Sequence, residues 1–150
     1  MRSYLLDTNV VSASSPLKAG TSDGRVRDWL RERSDRLFLS AVSLAEVRAG
    51  VEKARRSGHS RKADRLDLWL GGLTAFYGPR ILALDTAIAD RSGVFFDRAI
   101  GIGRSPDWID AQIAATAAVH DLTLLTRNTR HFEPFGTEIL DPFADGFDAS

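Results

Sequence analysis

Five short runs, Ser3 to Leu6, Leu37 to Leu39, Ile81 to Leu84, Thr123 to Leu125 and Glu138 to Leu140, are mostly apolar along their length and bounded by polar residues. Continuous runs this short read as strands buried on both faces. Between them, apolar residues recur at helical spacing over Arg25 to Arg33, Val42 to Arg56, Arg61 to Leu73, Thr86 to Ile100 and Trp108 to His120. Strands that alternate with helices in this way bury themselves as a mainly parallel sheet covered on both faces, so an α/β protein with a sheet of about five strands is expected. Ser40, Asp85 and Asp107 stand where helix N-caps belong, and Gly58 and Gly101 near helix ends. There is no repeat, linker or low-complexity segment. The 150 residues therefore read as a single domain over 1–150, with an acidic, Gly-containing tail from about 142 to 150 expected to be loose.

The chain contains no cysteine, which excludes disulfides, thiolate zinc sites and cysteine nucleophiles. It begins almost at once with a strand, without a basic and apolar leader, and no apolar run approaches the ~20 residues of a membrane span. A cytoplasmic protein without a membrane partner is expected. The formal charge of zero argues against gripping nucleic acid through the overall field. Between Lys18 and Arg65, however, 13 Lys and Arg face 7 Asp and Glu. Most of these cations are Arg, which suits bidentate phosphate or carboxylate recognition and equally suits solvated helix faces.

The first strand ends on a carboxylate, in "YLLDTNVVSA". In an open α/β sheet, ligands bind at the carboxyl ends of the strands, so Asp7 stands where a site would be. It could equally cap a short helix over Val10 to Ser14. The two glutamates of "SLAEVRAGVEK" differ. Glu52 has Arg48, Arg55 and Arg56 at helical offsets, as an ordinary surface ion pair would. Glu46 has only Val42, Ser43, Ala49 and Gly50 there, a costly setting for a charge unless something else neutralises it. Asp110 shows the same isolation, although an acid three residues after an N-cap at Asp107 also favours a helix start. Asp67, Asp90 and Asp97 lack helical cations too, so isolation alone selects nothing. Asn128, after the strand that ends at Thr126, reaches the crevice of Asp7 if the two strands are neighbours; on its own it suits a turn or cap.

Taken in order, "YLLDTNVVSA", "SLAEVRAGVEK", "IDAQIAATAAVHDLTLLTRNTRHF" and "EILDPF" resemble the PIN-domain ribonucleases, specifically the toxin component of VapBC-type toxin–antitoxin modules. The resemblance spans nearly the whole chain. It implies a PIN-like three-layer α/β/α sandwich, Mg²⁺ or Mn²⁺ as cofactor, homodimerisation, and inhibition by a small cognate antitoxin. By position, Asp7, Glu46 and Asp110 match the first three acids of the family, and Asn128 matches a fourth position that is Asp in some members and Asn in others. Thr8 and Asn9 match the polar residues that follow the first acid. Arg127 and Arg130 lie beside the implied site as candidate phosphate contacts. His131 stands where many members have an acid, and no role is assigned to it.

Three carboxylates within ~5 Å of one another repel by roughly 3 kcal/mol per pair at an effective dielectric of 20. A hard divalent cation relieves this, and all-oxygen ligation with retained water suits Mg²⁺ or Mn²⁺. The activity expected from the resemblance is hydrolysis of RNA phosphodiester bonds, with tRNA or rRNA loops as reasonable targets because their bases are accessible. Two other readings stand beside it. "LLDTNVV" is close to the start of haloacid-dehalogenase-type phosphatases, with Asp7 as nucleophile, although Asn9 stands where the general acid should be. A non-catalytic RNA- or partner-binding domain would make the acids caps and nothing more.

Overall fold

The computed structural model describes residues 1–15, 17 and 24–147. In chain order these form β1 (Tyr4–Leu6), α1 (Thr8–Ser12), α2 (Gly24–Glu32), β2 (Leu37–Ser40), α3 (Ala41–Arg56), α4 (Ser60–Tyr77), β3 (Ile81–Leu82), α5 (Thr86–Gly101), α6 (Trp108–Val119), β4 (Thr123–Leu125), α7 (Thr129–Phe132) and β5 (Ile139–Leu140). The five strands make one sheet in the order β3-β2-β1-β4-β5, and every pair is parallel. Register sets Leu5 of β1 between Phe38 of β2 and Leu124 of β4.

Side chains alternate across a strand, and the alternation divides the core. Tyr4 and Leu6 of β1, with Leu37, Leu39 and Leu125, pack against α1 to α4 on one face. Leu5 and Leu124 pack against α5, α6 and the Phe132–Phe135 segment on the other. The result is the expected three-layer α/β/α sandwich. α6 is buried nearly all round, through Ala111, Ile113, Ala114, Ala115, Thr116 and Ala117. Its small side chains let the backbone lie close to the sheet, which fixes the position of the helix's first turn.

The predicted caps form. Ser40, Asp85 and Asp107 accept backbone N–H groups of the first turns of α3, α5 and α6. After α3 the chain turns left-handed at Gly58 (φ 85°), and His59 N–H reaches back to Ala54 O at 2.9 Å to satisfy a terminal carbonyl. At the end of α5 the left-handed residue is Gly103 (φ 82°), two positions beyond Gly101. α4 runs on to Tyr77, past the Leu73 expected from the pattern. Gly71 and Gly72 read locally as punctuation, but Leu70 and Tyr77 are buried on one face and that packing outweighs the propensity of the glycines. α1 starts at Thr8 rather than Val10, and α7 is an element the pattern did not suggest.

The tail expected to be loose is packed as far as Phe147. Phe147 meets Trp29 edge-on at 5.3 Å, Phe143 lies under the Arg127 guanidinium at 3.7 Å, and Ala144 O accepts from Arg25 at 3.3 Å. Aromatic burial outweighs the local acidity there. The remainder of the expected tail, residues 148–150, lies outside the described residues. No described helix is long and apolar enough to cross a membrane.

Candidate functional site

β1 and β4 are neighbours, and their carboxyl ends carry the first site residues. Asp7 N–H donates to Leu125 O at 2.9 Å, so Asp7 extends the ladder by one residue before the chain turns into α1. Its side chain is almost fully buried (6 % exposed). Oδ1 accepts the Thr8 N–H at 2.8 Å, the N-cap bond of α1. Oδ2 accepts the Thr126 hydroxyl at 2.7 Å and the Asn9 amide at 3.2 Å. A carboxylate offers about four acceptor positions, so one remains on Oδ1. The capping and site readings of Asp7 are thus compatible: capping occupies one oxygen's lone pair and aims the rest at the end of the sheet.

Thr8 links the first acid to the second, its hydroxyl donating to Glu46 Oε1 at 2.6 Å. Asn9 ties the two strand ends together, because its Oδ1 accepts the Arg127 N–H at 3.2 Å. Asp110 sits in the first turn of α6, with its N–H bonded to Asp107 at 3.2 Å. A cleft of about 330 Å³ is lined by Glu46, Asp107, Asp110, Arg104 and His131. His131 Nδ1 lies 3.5 Å from Asp110 Oδ2. A second cavity, of about 400 Å³ and lined by Arg91, Phe95 and Arg98, opens at the amino ends of β4 and β5, away from these acids.

Burial pushes the Asp7 carboxyl up from its ordinary value, opposed by its bonds from Thr126 and Thr8 and by the nearby His131. Asp110 is pushed up to about 6, first by burial and then by the negative charges of Asp107, Asp7 and Glu46, against the opposing pull of His131. That Asp110 responds to both Asp7 and Glu46 places the three acids within electrostatic reach of one another. Because the folded pKa of Asp110 lies above the 3.8 of the free group, its protonated form stabilises the fold at low pH, and that contribution is lost as pH rises through about 6. Asp110 is half-exposed, so solvent screening holds the loss to about 1 kcal/mol. In chelator, wild type should lose stability relative to Asp110→Asn between pH 4 and 6.5. Parallel curves from thermal unfolding across that range would show that the acids do not repel.

The remaining sequence candidates lie around this cluster. Asn128 joins through its backbone, whose N–H donates to Thr126 Oγ1 at 3.0 Å. The Arg127 guanidinium is stacked on Phe143, and Arg130 O accepts from Arg104 at 2.6 Å. Glu52 pairs with Arg48 and Arg55 as its spacing implied. Asp67, which lacks cations in its own helix, is paired across helices with the same two arginines. Thr126 is the site residue that sequence reasoning passed over. It is fully buried (0 % exposed) and bonds both Asp7 and the backbone of Asn128. Its only sequence signal was a hydroxyl at the end of an apolar run.

Among the described residues, no three His, Cys, Asp or Glu side chains form a ready-made metal cage. The donor chemistry nevertheless fits a hard divalent cation. Two carboxyls with raised pKa values and a third held by Thr8 offer oxygen ligands whose mutual repulsion a cation removes, and Mg²⁺ commonly takes one or two carboxylates while keeping several waters. Asp7, Glu46 and Asp110 are the residues to hold it.

A layered α/β/α fold with an acid cluster at the carboxyl ends of its central parallel strands defines a carboxylate-centred site of the kind that handles a cation and a phosphate. The PIN domain family model matches residues 4–135, and the chain belongs to that family. Toxin FitB of Neisseria gonorrhoeae is 33% identical over 147 residues, covering 94% of this chain and 99% of that protein. VapC ribonuclease Y4jK of Sinorhizobium fredii is 32% identical over 140 residues, covering 93% and 96%. The solved structure of DNA-bound VapBC from Salmonella typhimurium matches with a TM-score of 0.77 at 25% identity, over 95% of this chain and 99% of that one.

Proposed function

We propose that this chain is a Mg²⁺- or Mn²⁺-dependent endoribonuclease, the toxin of a VapBC-type pair, acting in the cytoplasm and neutralised by a cognate antitoxin. The observation that carries the reading is the meeting of Asp7, Glu46 and Asp110 at one end of a PIN-domain sheet. The relatives support it by their own descriptions, one a ribonuclease and one a toxin, and the similar Salmonella protein was solved within a VapBC assembly. Dimerisation is supported by the exposed apolar surface of Ile100, Ile102 and Trp108 near the α5–α6 connection.

Asp7 and Asp110 act as direct metal ligands, and Glu46 as a ligand or as the base that positions water. The bound ion would acidify that water and offset charge building on the phosphoryl oxygens. Thr8 and Thr126 hold Asp7 and Glu46 in place through the bonds described, so little reorganisation is needed when RNA arrives. Asn128 is an outer hydrogen-bonding group, and Arg127 and Arg130 contact phosphates of an RNA loop, with tRNA or rRNA loops as the substrate class. Against the phosphatase reading, Asn9 cannot serve as the acid two residues after a nucleophile, since it is an amide whose Nδ2 donates to Asp7.

Total tRNA incubated with the purified chain should be cut with Mg²⁺ or Mn²⁺ and left intact in excess EDTA, with cleavage restored on adding metal back. Cleavage that continues unchanged in EDTA would reject the metal-dependent reading. Metal-stabilised protein that cuts no RNA would favour a binding domain.

A further inference from the structure

The ring of His131 shares the acid cleft without a committed partner. Its Nδ1 is 3.5 Å from Asp110 Oδ2, longer than the 2.7–2.9 Å of a charge-assisted bond, and Glu46, Asp110 and His131 line the same cleft. Asp7 feels its charge as well. Adjacent oxygen or nitrogen ligands on an octahedral ion stand about 3 Å apart, so the spacing of Nδ1 and Oδ2 suits two donors to one ion. The position of the ring is built from behind. Phe132 beside it is fully buried, His131 N–H donates to Asn128 O at 3.0 Å, and Arg104 grips Arg130 O. The side chain itself stays open to the cleft (63 % exposed).

We propose that His131 is a fourth protein ligand of the metal held by Asp7, Glu46 and Asp110, and that its imidazole nitrogen biases the site toward Mn²⁺ over Mg²⁺. The inference rests on the metal-dependent reading above. Mg²⁺ takes oxygen donors almost exclusively, whereas imidazole is a good ligand for transition ions, so exchanging an acid for a histidine changes the preferred ion as well as the charge. With Asn128 uncharged, three carboxylates and a neutral ring leave the loaded site less negative than an all-carboxylate set would. The competing role for His131 is a cationic partner of Asp110. The two roles predict opposite signs, because a ligand lost weakens metal binding whereas a competing cation lost strengthens it.

The test is calorimetric titration of the chain, His131→Ala and His131→Asp with Mn²⁺ and with Mg²⁺ at pH 8, paired with pulsed electron paramagnetic resonance of bound Mn²⁺. His131→Ala should weaken Mn²⁺ binding about tenfold or more and Mg²⁺ binding by less than about threefold, since only the transition ion gains from nitrogen. The ¹⁴N modulation of a directly bound nitrogen should be present in the parent chain and absent from His131→Ala. His131→Asp should bind both ions and lower the Mn²⁺ to Mg²⁺ preference, which also shows that the altered position still folds. Bound Mn²⁺ without ¹⁴N modulation in the parent chain, or tighter Mn²⁺ binding by His131→Ala, overturns the ligand role and leaves the metal-dependent reading standing. A parent chain that binds neither ion overturns both.

Discussion

Asp7→Asn should leave the metal-free unfolding temperature unchanged or higher while RNA cleavage falls by orders of magnitude. Asn caps a helix about as well as Asp, and its carbonyl can still accept the Thr8 N–H that Asp7 Oδ1 accepts at 2.8 Å. Its amide can donate to Thr126 Oγ1, reversing the 2.7 Å bond. What disappears is a buried charge that its surroundings already disfavour and the repulsion that this charge exerts on Asp110. The same charge is what binds a cation, so the stabilisation by Mn²⁺ should shrink. Gain of stability with loss of function is the usual mark of a strained functional group. The measurement is thermal unfolding with and without Mn²⁺, paired with cleavage of total tRNA. A variant that is less stable without metal yet cuts at the parental rate would make Asp7 architecture alone.

Phe132→Ala should cost about 3–5 kcal/mol, the usual loss for a large aromatic removed from a packed core, or a fall of roughly 10 °C in unfolding temperature for a domain of this size. Phe132 is fully buried and meets Phe135 edge-on at 6.2 Å, in the cluster that holds Leu5, Leu124 and Ile113. It is also what fastens α7, a single turn too short to persist on its own propensity. Loss of the ring should therefore free His131 from the cleft as well as destabilise the core. Urea unfolding that shifts the midpoint at constant slope would record it. A cost below about 1 kcal/mol would mean that the cavity collapses or that the ring is not an anchor.

The parts of the fold visible in the sequence are those encoded by local period. Leu37 to Leu39 and Thr123 to Leu125 are continuous apolar runs, and both are strands. Ser40, Asp85 and Asp107 are capping types placed at changes of period, and all three cap. α7 was not visible because four residues cannot display a period of 3.6. The end of α4 was not visible because its two glycines speak locally for a stop, while the burial that overrides them depends on the neighbouring layer. The packed tail was hidden similarly, since its acids and glycine are local and the Trp29 that receives Phe147 lies far away in the chain.

For the site, isolation from helical cations marked Glu46 and Asp110 and also marked Asp67. The structure separates them. Asp67 meets Arg48 at 3.0 Å from another helix, while Glu46 meets the hydroxyl of Thr8 and Asp110 faces like charges.

The sequence by itself determined the strands, most of the helices, the caps, and the rule that an acid ending a buried strand lies at the carboxyl edge of the sheet. Tertiary structure alone decided which edges meet. Strand order β3-β2-β1-β4-β5 sets Asp7 beside Thr126, 119 residues away in the chain, and the packing of α3 over α1 carries Glu46 to Thr8, 38 residues away. The physical reason is that hydrophobic period specifies how a segment buries itself and carries no information about its neighbour. Pairing is decided by which arrangement buries both faces of β1 and β4 at once with short crossovers, and the acids are brought together by that choice.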